Sequence, residues 1–425
     1  MKILLINTDD SMGGAAIACL RLLSLLKEEK DIKADLLVQQ KKGKREDVTA
    51  VVNTWLAHKM AFARFALERL YFRLLEKNKE VRFAFSPANT GIDISQHPLV
   101  QEADIIHLHW INFGFLSTQS LQKLFALGKP IVWTLHDMWA FTGGCHHSGN
   151  CENFQQHCGN CLPYLKNPAD DDLSARVWKK KRRIFIDTIL PSVQIVACSQ
   201  WLAARARKSS LFKNLPVTSI PNPLDTAVFY PINKAEARHK LGLPIDKKLI
   251  LFAAAKVTVI WKGFSYFQAA LALLKESVSQ PEAIELVILG ESDEELNKSL
   301  PFKTHALGRI TDAQKIALVY SAADVFSIPS IQENLPNTIM ESLACGTPAV
   351  GFEVGGIPEM IEHKQTGFLA TYKSAESLAE GINWVLFEAD TQTLASKARE
   401  KVLANYSQEV VKEQYLKVYK SLVNQ

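Results

Sequence analysis

No apolar run in this 425-residue chain approaches the roughly 20 residues that a membrane-spanning helix needs; the longest, such as Leu249 to Ala255, fall far short. The N-terminus, MKILLIN, carries one charge and a short apolar run that breaks at Thr8-Asp9-Asp10. It lacks the longer apolar stretch and small-residue cleavage site of a secretory leader, so a cytoplasmic protein opening on a buried strand is expected. Charge of one sign is also missing: 49 basic against 44 acidic residues leave +5. That balance suits an anionic small molecule or a membrane surface and argues only weakly for nucleic acid, which is not an expected partner. There are no internal repeats and no low-complexity tract. With 47% hydrophobic and 22% charged residues, the composition is that of a globular protein, neither disordered nor collagen-like.

What is present is strand–helix alternation in two sets. Lys2 to Asn7, Ala34 to Gln39, Asp104 to Trp110 and Pro130 to His136 are largely apolar runs, as in a parallel sheet covered on both faces. A Gly-containing loop and a helix from about Ala15 to Lys27 follow the first. Asn214 to Tyr230, with Pro216, Pro221 and Pro223, reads as a linker. A second series runs through Leu249 to Ala255, Glu285 to Leu289, Asp324 to Pro329 and Pro348 to Phe352. The class is α/β, with two Rossmann-like doubly wound domains and ligands beyond the carboxyl ends of their strands. A cleft between the domains is the expected binding place. The tail, about Ser407 to Val423, reads as an amphipathic helix.

Residues 55 to 85 break the pattern. Trp55, Phe62, Phe65, Leu67, Leu70, Phe72 and Leu74 interleave with Lys59, Arg64, Arg69, Arg73, Lys77, Lys79 and Arg82. Such a basic, aromatic-rich helix can lie in a membrane interface. It can equally be an insertion whose apolar face packs on its own domain.

The most informative stretch is DVFSIPSIQENLPNTIMESLACGTPAVGFEVGGIP, from Asp324 to Pro358. A buried strand gives way to the polar loop Gln332 to Asn337. A helix from about Thr338 follows and stops at Cys345-Gly346. Amides ahead of a helix N-terminus make an anion site. Carboxylates placed there, Glu333 and Glu341, suit a ligand that also carries vicinal hydroxyls. Thr338 and Glu341 are spaced as a capping box as well, which is the structural alternative. Upstream, Lys256 and Lys262-Gly263 close a strand, where cations can hold a departing phosphate; two ordinary surface lysines are the plainer reading.

A glutamate, seven residues, a second glutamate and then G-T-P-A-V resemble the family 4 retaining glycosyltransferases of the GT-B fold, over nearly the whole chain. The resemblance implies that Glu341 binds the ribose hydroxyls of a nucleotide and that Glu333 sits by the donor sugar. The intervening loop, with Asn334, Leu335, Asn337 and Thr338, reaches sugar and diphosphate. Many members have Phe-Gly after the first glutamate. This chain has Asn334-Leu335-Pro336, and Pro336 offers no N–H. Lys262 matches the family's Lys-Gly, while Lys256 stands where an arginine is usual. Backbone around Ile310, in Leu307-Gly308-Arg309-Ile310, would face the base.

In the N-terminal half, Gly13-Gly14 lies between the first strand and first helix, where glycine lets backbone approach a ligand; a tight turn explains it equally well. The resemblance places this loop, with Gly14, by the donor phosphate. His136, in Trp133-Thr134-Leu135-His136-Asp137, ends a strand where the family has a histidine near the reaction centre. Asp137 would orient His136 or cap the next turn. His107 and His109, on one face of another strand, are further candidates.

Four of the seven cysteines, Cys145, Cys151, Cys158 and Cys161, fall within 145–161. They could form a tetrahedral thiolate site for structural zinc, with His146, His147 and His157 as substitutes; free thiols or disulfides are the alternatives. The stretch WTLHDMW…GGCH…C…CGNC resembles colanic-acid and capsular exopolysaccharide glycosyltransferases.

The resemblance therefore implies an acceptor-side domain over 1–222 and a nucleotide-sugar domain over 223–405. The closing helix, 406–425, would cross back to the first. It implies transfer of a sugar from a UDP- or GDP-sugar to a glycan or lipid-linked hydroxyl, with retained configuration and no catalytic metal. The site would be cytoplasmic, at the inner membrane face. A nucleotide-sugar epimerase and a catalytically silent sugar-binding protein are the alternatives. A dehydrogenase is excluded by the missing G-x-G-x-x-G.

Overall fold

The computed structural model describes residues 1–11 and 13–423. The chain divides into two compact units: residues 1–221 with 412–425, and residues 222–411. The last two positions of the 406–425 segment lie outside the described residues.

The first unit is built on seven strands: β1 (Lys2–Asp9), β2 (Lys33–Gln40), β3 (Val48–Ala50), β4 (Ile105–Leu108), β5 (Ile131–Leu135), β6 (Val193–Ala197) and β7 (Val217–Ser219). Every pairing is parallel, in the order β3-β2-β1-β4-β5-β6-β7. The central strands are buried on both faces: Ile3 to Ile6, all of β4 and all of β5. That is why they read as continuous apolar runs and not as alternating ones. Helix α1 (Gly13–Lys27) follows β1 and buries Leu22, Leu23, Leu25 and Leu26. Helix α2 (Trp55–Leu75) fills the basic segment and is capped by the Thr54 hydroxyl, which accepts from the Ala57 N–H.

β7 is a departure from the sequence reading. It lies inside the proline-rich stretch taken as a linker, and the boundary between units falls at its far end. Three residues at a sheet edge, between Pro216 and Pro221, suffice for pairing with β6. Proline is tolerated beside an edge strand because no further ladder needs its N–H.

The second unit has six strands: β8 (Lys248–Lys256), β9 (Ile284–Glu291), β10 (Thr304–Gly308), β11 (Val325–Ile328), β12 (Ala349–Phe352) and β13 (Gly367–Ala370). All pair in parallel, in the order β10-β9-β8-β11-β12-β13. Helix α3 (Phe264–Ser277) buries Phe267, Leu271 and Leu274 against this sheet's core. Helix α4 (Asn337–Ala344) follows the loop after β11. The last helix, α5 (Gln408–Val423), begins in the second unit and from Lys412 onward belongs to the first.

In each sheet the strand order reverses once, between β1 and β4 and between β8 and β11. In doubly wound sheets the crevice beyond the carboxyl ends of such a pair is where ligands bind. Lys256, Lys262 and Glu333 follow the strands of the second pair, and Gly14 follows β1 of the first.

Candidate active site

At the reversal point of the second unit, β8 ends at Lys256 and leads through a short 3-10 turn, Ile260–Lys262, into α3. β11 ends at Ile328 and leads into the loop carrying Glu333. Lys262 Nζ meets Glu333 Oε1 at 2.5 Å, joining the two strand ends across the reversal point. Two glycines make this possible. Gly263 has φ of 70°, and a Cβ there would lie 1.8 Å from the Pro329 carbonyl oxygen. Gly355 has φ of 59°, and a Cβ there would lie 1.8 Å from the Glu333 carbonyl oxygen. Only a residue without a side chain lets these loops close on Glu333. Lys256 is exposed at the end of β8.

Glu341 is buried on α4, and the Tyr320 hydroxyl donates to its Oε2 at 3.4 Å. The capping-box reading fails. The helix starts at Asn337, so Thr338 is already inside it, and the cap residue is Pro336 with no side-chain cap bond. Asn334 and Leu335 are buried, Asn337 is half-buried and accepts from Asn222 Nδ2 at 3.0 Å, and Thr338 is half-buried. Ile310 is half-buried just past β10. The Ser330 hydroxyl, buried two residues past β11, has no hydrogen-bond partner among the described residues; no sequence pattern marked it.

In the first unit, Gly14 is exposed in the first turn of α1, behind Gly13 with φ of 82°. His109 and His136 follow β4 and β5. His109 Nδ1 and His136 Nε2 are 3.0 Å apart, and His136 Nδ1 lies 3.6 Å from Cys198 Sγ. Among the described residues His109 Nε2 and Asn112 Nδ2 are buried without partners, and both residues line a cavity of ≈ 10 Å³ beside His136. Burial pushes His136 down to about 4, against a smaller opposing pull from Asp137. Burial, with the neighbouring imidazoles, holds His109 well below its ordinary value. Two neutral rings in contact need one donor and one acceptor, so the tautomers of His109 and His136 are linked.

Beneath them lies a second polar chain. His107 Nδ1 and the Tyr419 hydroxyl are 2.8 Å apart, His107 Nε2 and Thr134 Oγ1 are 2.7 Å apart, and Thr134 Oγ1 and the Tyr415 hydroxyl are 3.0 Å apart. α5 is thereby fastened to β4 and β5, in each case two residues before the strand-end histidine. Burial, helped by His136, brings His107 down to about 3.

Asp137 does not hydrogen-bond His136. It accepts from Trp110 Nε1 at 2.9 Å, His146 Nδ1 at 2.7 Å and the Trp139 N–H at 2.7 Å, so it caps the next turn. Burial opposes its ionisation, but His146 and the Trp139 amide win and bring it to about 2. His146 also meets Ser86 Oγ at 3.1 Å through Nε2. With both nitrogens taken, His146 is not available as the metal ligand the sequence suggested.

All four clustered cysteines are free thiols. The Gly143 N–H donates to Cys158 Sγ at 3.1 Å. Burial pushes Cys145 up to about 11 and Cys158 up to about 12. The same burial lowers the neighbouring Lys181 to about 7. Among the described residues no group of three or more His, Cys, Asp or Glu is placed to hold a metal ion.

Two family models match the chain: "Glycosyltransferase Family 4" over residues 12–228 and "Glycosyl transferases group 1" over residues 233–402. WcaC of Escherichia coli (strain K12), which is named as a colanic acid biosynthesis glycosyl transferase, is 24% identical over 372 residues, covering 85% of this chain and 84% of its own. Other curated relatives align less fully, and this chain spans about half of their length. Among solved structures, sucrose-phosphate synthase of Thermosynechococcus elongatus superposes with a TM-score of 0.68 at 19% identity, covering 99% of each chain. Anabaena Alr3699/HepE, in complex with UDP and glucose, gives 0.63 at 18% identity, covering 99% of this chain and 100% of its own. These likenesses give the GT-B fold. With both halves matched in succession, the chain belongs to the family 4 glycosyltransferases and is a glycosyltransferase.

Proposed function

We propose that this enzyme moves a sugar from a nucleoside-diphosphate sugar to an acceptor hydroxyl with retained anomeric configuration, in bacterial surface polysaccharide synthesis. The observation that carries the reading is the Lys262–Glu333 pair across the β8/β11 reversal point, with Glu341 buried on the following helix. It joins a phosphate-binding cation to a hydroxyl-binding carboxylate in one place. Lys256 and Lys262 neutralise the diphosphate, with the amides ahead of α4 as further donors. Glu341 accepts from the ribose hydroxyls, Glu333 holds the sugar, and backbone near Ile310 faces the base. In the first unit, Gly14 serves the donor phosphate and His136 the donor sugar, as the family resemblance assigns them.

The chemistry is a balanced exchange. The bond from the sugar's anomeric carbon to the β-phosphate oxygen breaks as the acceptor oxygen bonds that carbon on the same face. The acceptor proton passes to the leaving phosphate. The protein contributes positioning and charge stabilisation, with the lysines in place of a metal ion. We assign the acceptor to a glycan or lipid-linked class and the reaction to the inner face of a membrane. The support is the similarity to WcaC, with its colanic-acid name, and the basic segment 55–85.

Calorimetric titration with UDP and with GDP, in EDTA, tests the reading. Saturable binding of one nucleotide is expected and identifies the base. Binding of neither by folded protein overturns the donor site.

A further inference from the structure

A second cavity of the first unit lies in the loop between β5 and the helix Leu173–Phe185. Its volume of ≈ 460 Å³ falls within the range of about 300–1,000 Å³ usual for small-molecule sites. It shares no lining residue with the cavity beside His136. Four of its lining side chains are carboxamides, Asn153, Gln155, Gln156 and Asn160, and two are carboxylates, Glu152 and Asp170. The His157 ring, set edge-on to Trp178 with centroids 6.4 Å apart, completes the side-chain lining.

The loop is held in this shape by its own bonds. The Asn153 carboxamide donates to the Gly159 carbonyl at 2.9 Å, and the Asn160 N–H donates to the Ala169 carbonyl at 2.8 Å. The Asn160 carboxamide donates in turn to the Asp170 carboxylate. Gly159 is required where the two arms of the loop meet: a Cβ there would lie 2.9 Å from the Asp170 carbonyl oxygen. Phe154 is buried and anchors the turn against Phe141, with ring centroids 5.7 Å apart. Arg205, outside the lining, reaches Glu152 at 3.6 Å. A pocket already ordered loses little freedom when it binds.

The lining excludes ligand classes one at a time. It has two carboxylates and no lysine or arginine, so a phosphate, a nucleotide or an anionic headgroup finds no counter-charge there. It has no aliphatic side chain, so an acyl or prenyl chain has nothing to bury against. What remains is a neutral ligand dense in hydroxyls. Each carboxamide sets donors beside an acceptor, and each sugar hydroxyl is both. The two carboxylates add acceptors. We propose that this pocket is a second saccharide site, which holds a neutral stretch of glycan apart from the reacting hydroxyl. The inference rests on the glycan acceptor class proposed above. Binding energy from that non-reacting stretch holds the acceptor for the transfer.

The test is saturation-transfer NMR on the full chain with maltotriose, cellotriose and mannotriose as probes. Tri-serine is the polar, sugar-free control, and UDP and GDP are titrated into the same preparations. Expected is transfer to at least one trisaccharide and none to tri-serine. In Q156A/H157A, and in Q156W, which fills the cavity, trisaccharide affinity should fall about tenfold or more, with nucleotide affinity unchanged. Gln156 and His157 are exposed, so the fold stands, and a melting curve checks it. No transfer to any trisaccharide, from protein that binds a nucleotide, overturns this pocket and leaves the donor reading. Transfer that neither variant reduces assigns the sugar to another place on the enzyme and overturns the pocket. Transfer to tri-serine that both variants abolish assigns the pocket to a peptide and overturns the proposal. Folded protein that binds neither nucleotide nor saccharide overturns both readings.

Discussion

Glu341 and His109 show what single side chains contribute. Glu341 is buried on α4, where the Tyr320 hydroxyl donates to its carboxylate, and on the proposed reading its replacement removes the ribose contact. For Glu341→Ala, nucleotide affinity should fall about tenfold to a hundredfold, the worth of hydrogen bonds to a charged group, while the thermal transition moves little. Titration beside a melting curve checks both; unchanged affinity refutes the ribose assignment. His109 acts at one remove. It is a positioning residue: its Nδ1 contact decides which nitrogen of His136 carries the proton. His109→Leu should lower kcat by about tenfold to a hundredfold and leave nucleotide affinity alone. His109→Gln, which retains a donor and an acceptor, should recover part of the loss. Equal loss in both variants would make His109 a packing residue only.

Turns and helix ends set the site at the next scale. Gly355→Ala forces a Cβ onto the Glu333 carbonyl oxygen, and Gly263→Ala does the same to Pro329. Each should destabilise the second unit by about 1–3 kcal/mol and weaken nucleotide binding, since the displaced loop carries Glu333. Chemical denaturation with titration reads both effects, and a normal affinity in Gly355→Ala would separate the loop from the site. This scale also divides what the sequence made legible from what it did not. Glu333, Lys256 and Lys262 stood out because each lies at or within a few residues of a strand end that hydrophobic patterning reveals, and Glu341 because its spacing from Glu333 matches the family resemblance. The Tyr419–His107 contact joins residues 312 apart in sequence, and no local pattern announces it. The edge strand β7 was hidden among prolines, since three residues carry too little periodicity. The capping-box spacing misled because the helix starts one residue earlier than Thr338 suggests.

For the whole molecule, two units with separate sheets and cores give two candidate unfolding transitions, and acid should act on them unequally. His107 and His136 both belong to the first unit, and burial lowers them from 6.5 to about 3 and about 4. A lowered histidine binds its proton in the unfolded chain first. Stability is therefore complete above the unfolded value and drains as pH falls from about 6.5 towards 4. Each of the two rings removes roughly 1.4 kcal/mol per pH unit across that window. Asp137, lowered to about 2, adds its own loss only below about pH 4. Denaturant unfolding at pH 7.5, 6 and 5 should show the first unit's transition moving to lower denaturant at each step, with the second unit's moving less. His107→Asn, with its smaller unprotonated side chain, should start from lower stability but lose less of it with acid. A wild-type transition that holds its place down to pH 5 would mean that the imidazoles accept protons in the folded state. The His109–His136 contact would then be charged in part, and the linked tautomers that position His136 would have to be abandoned with it.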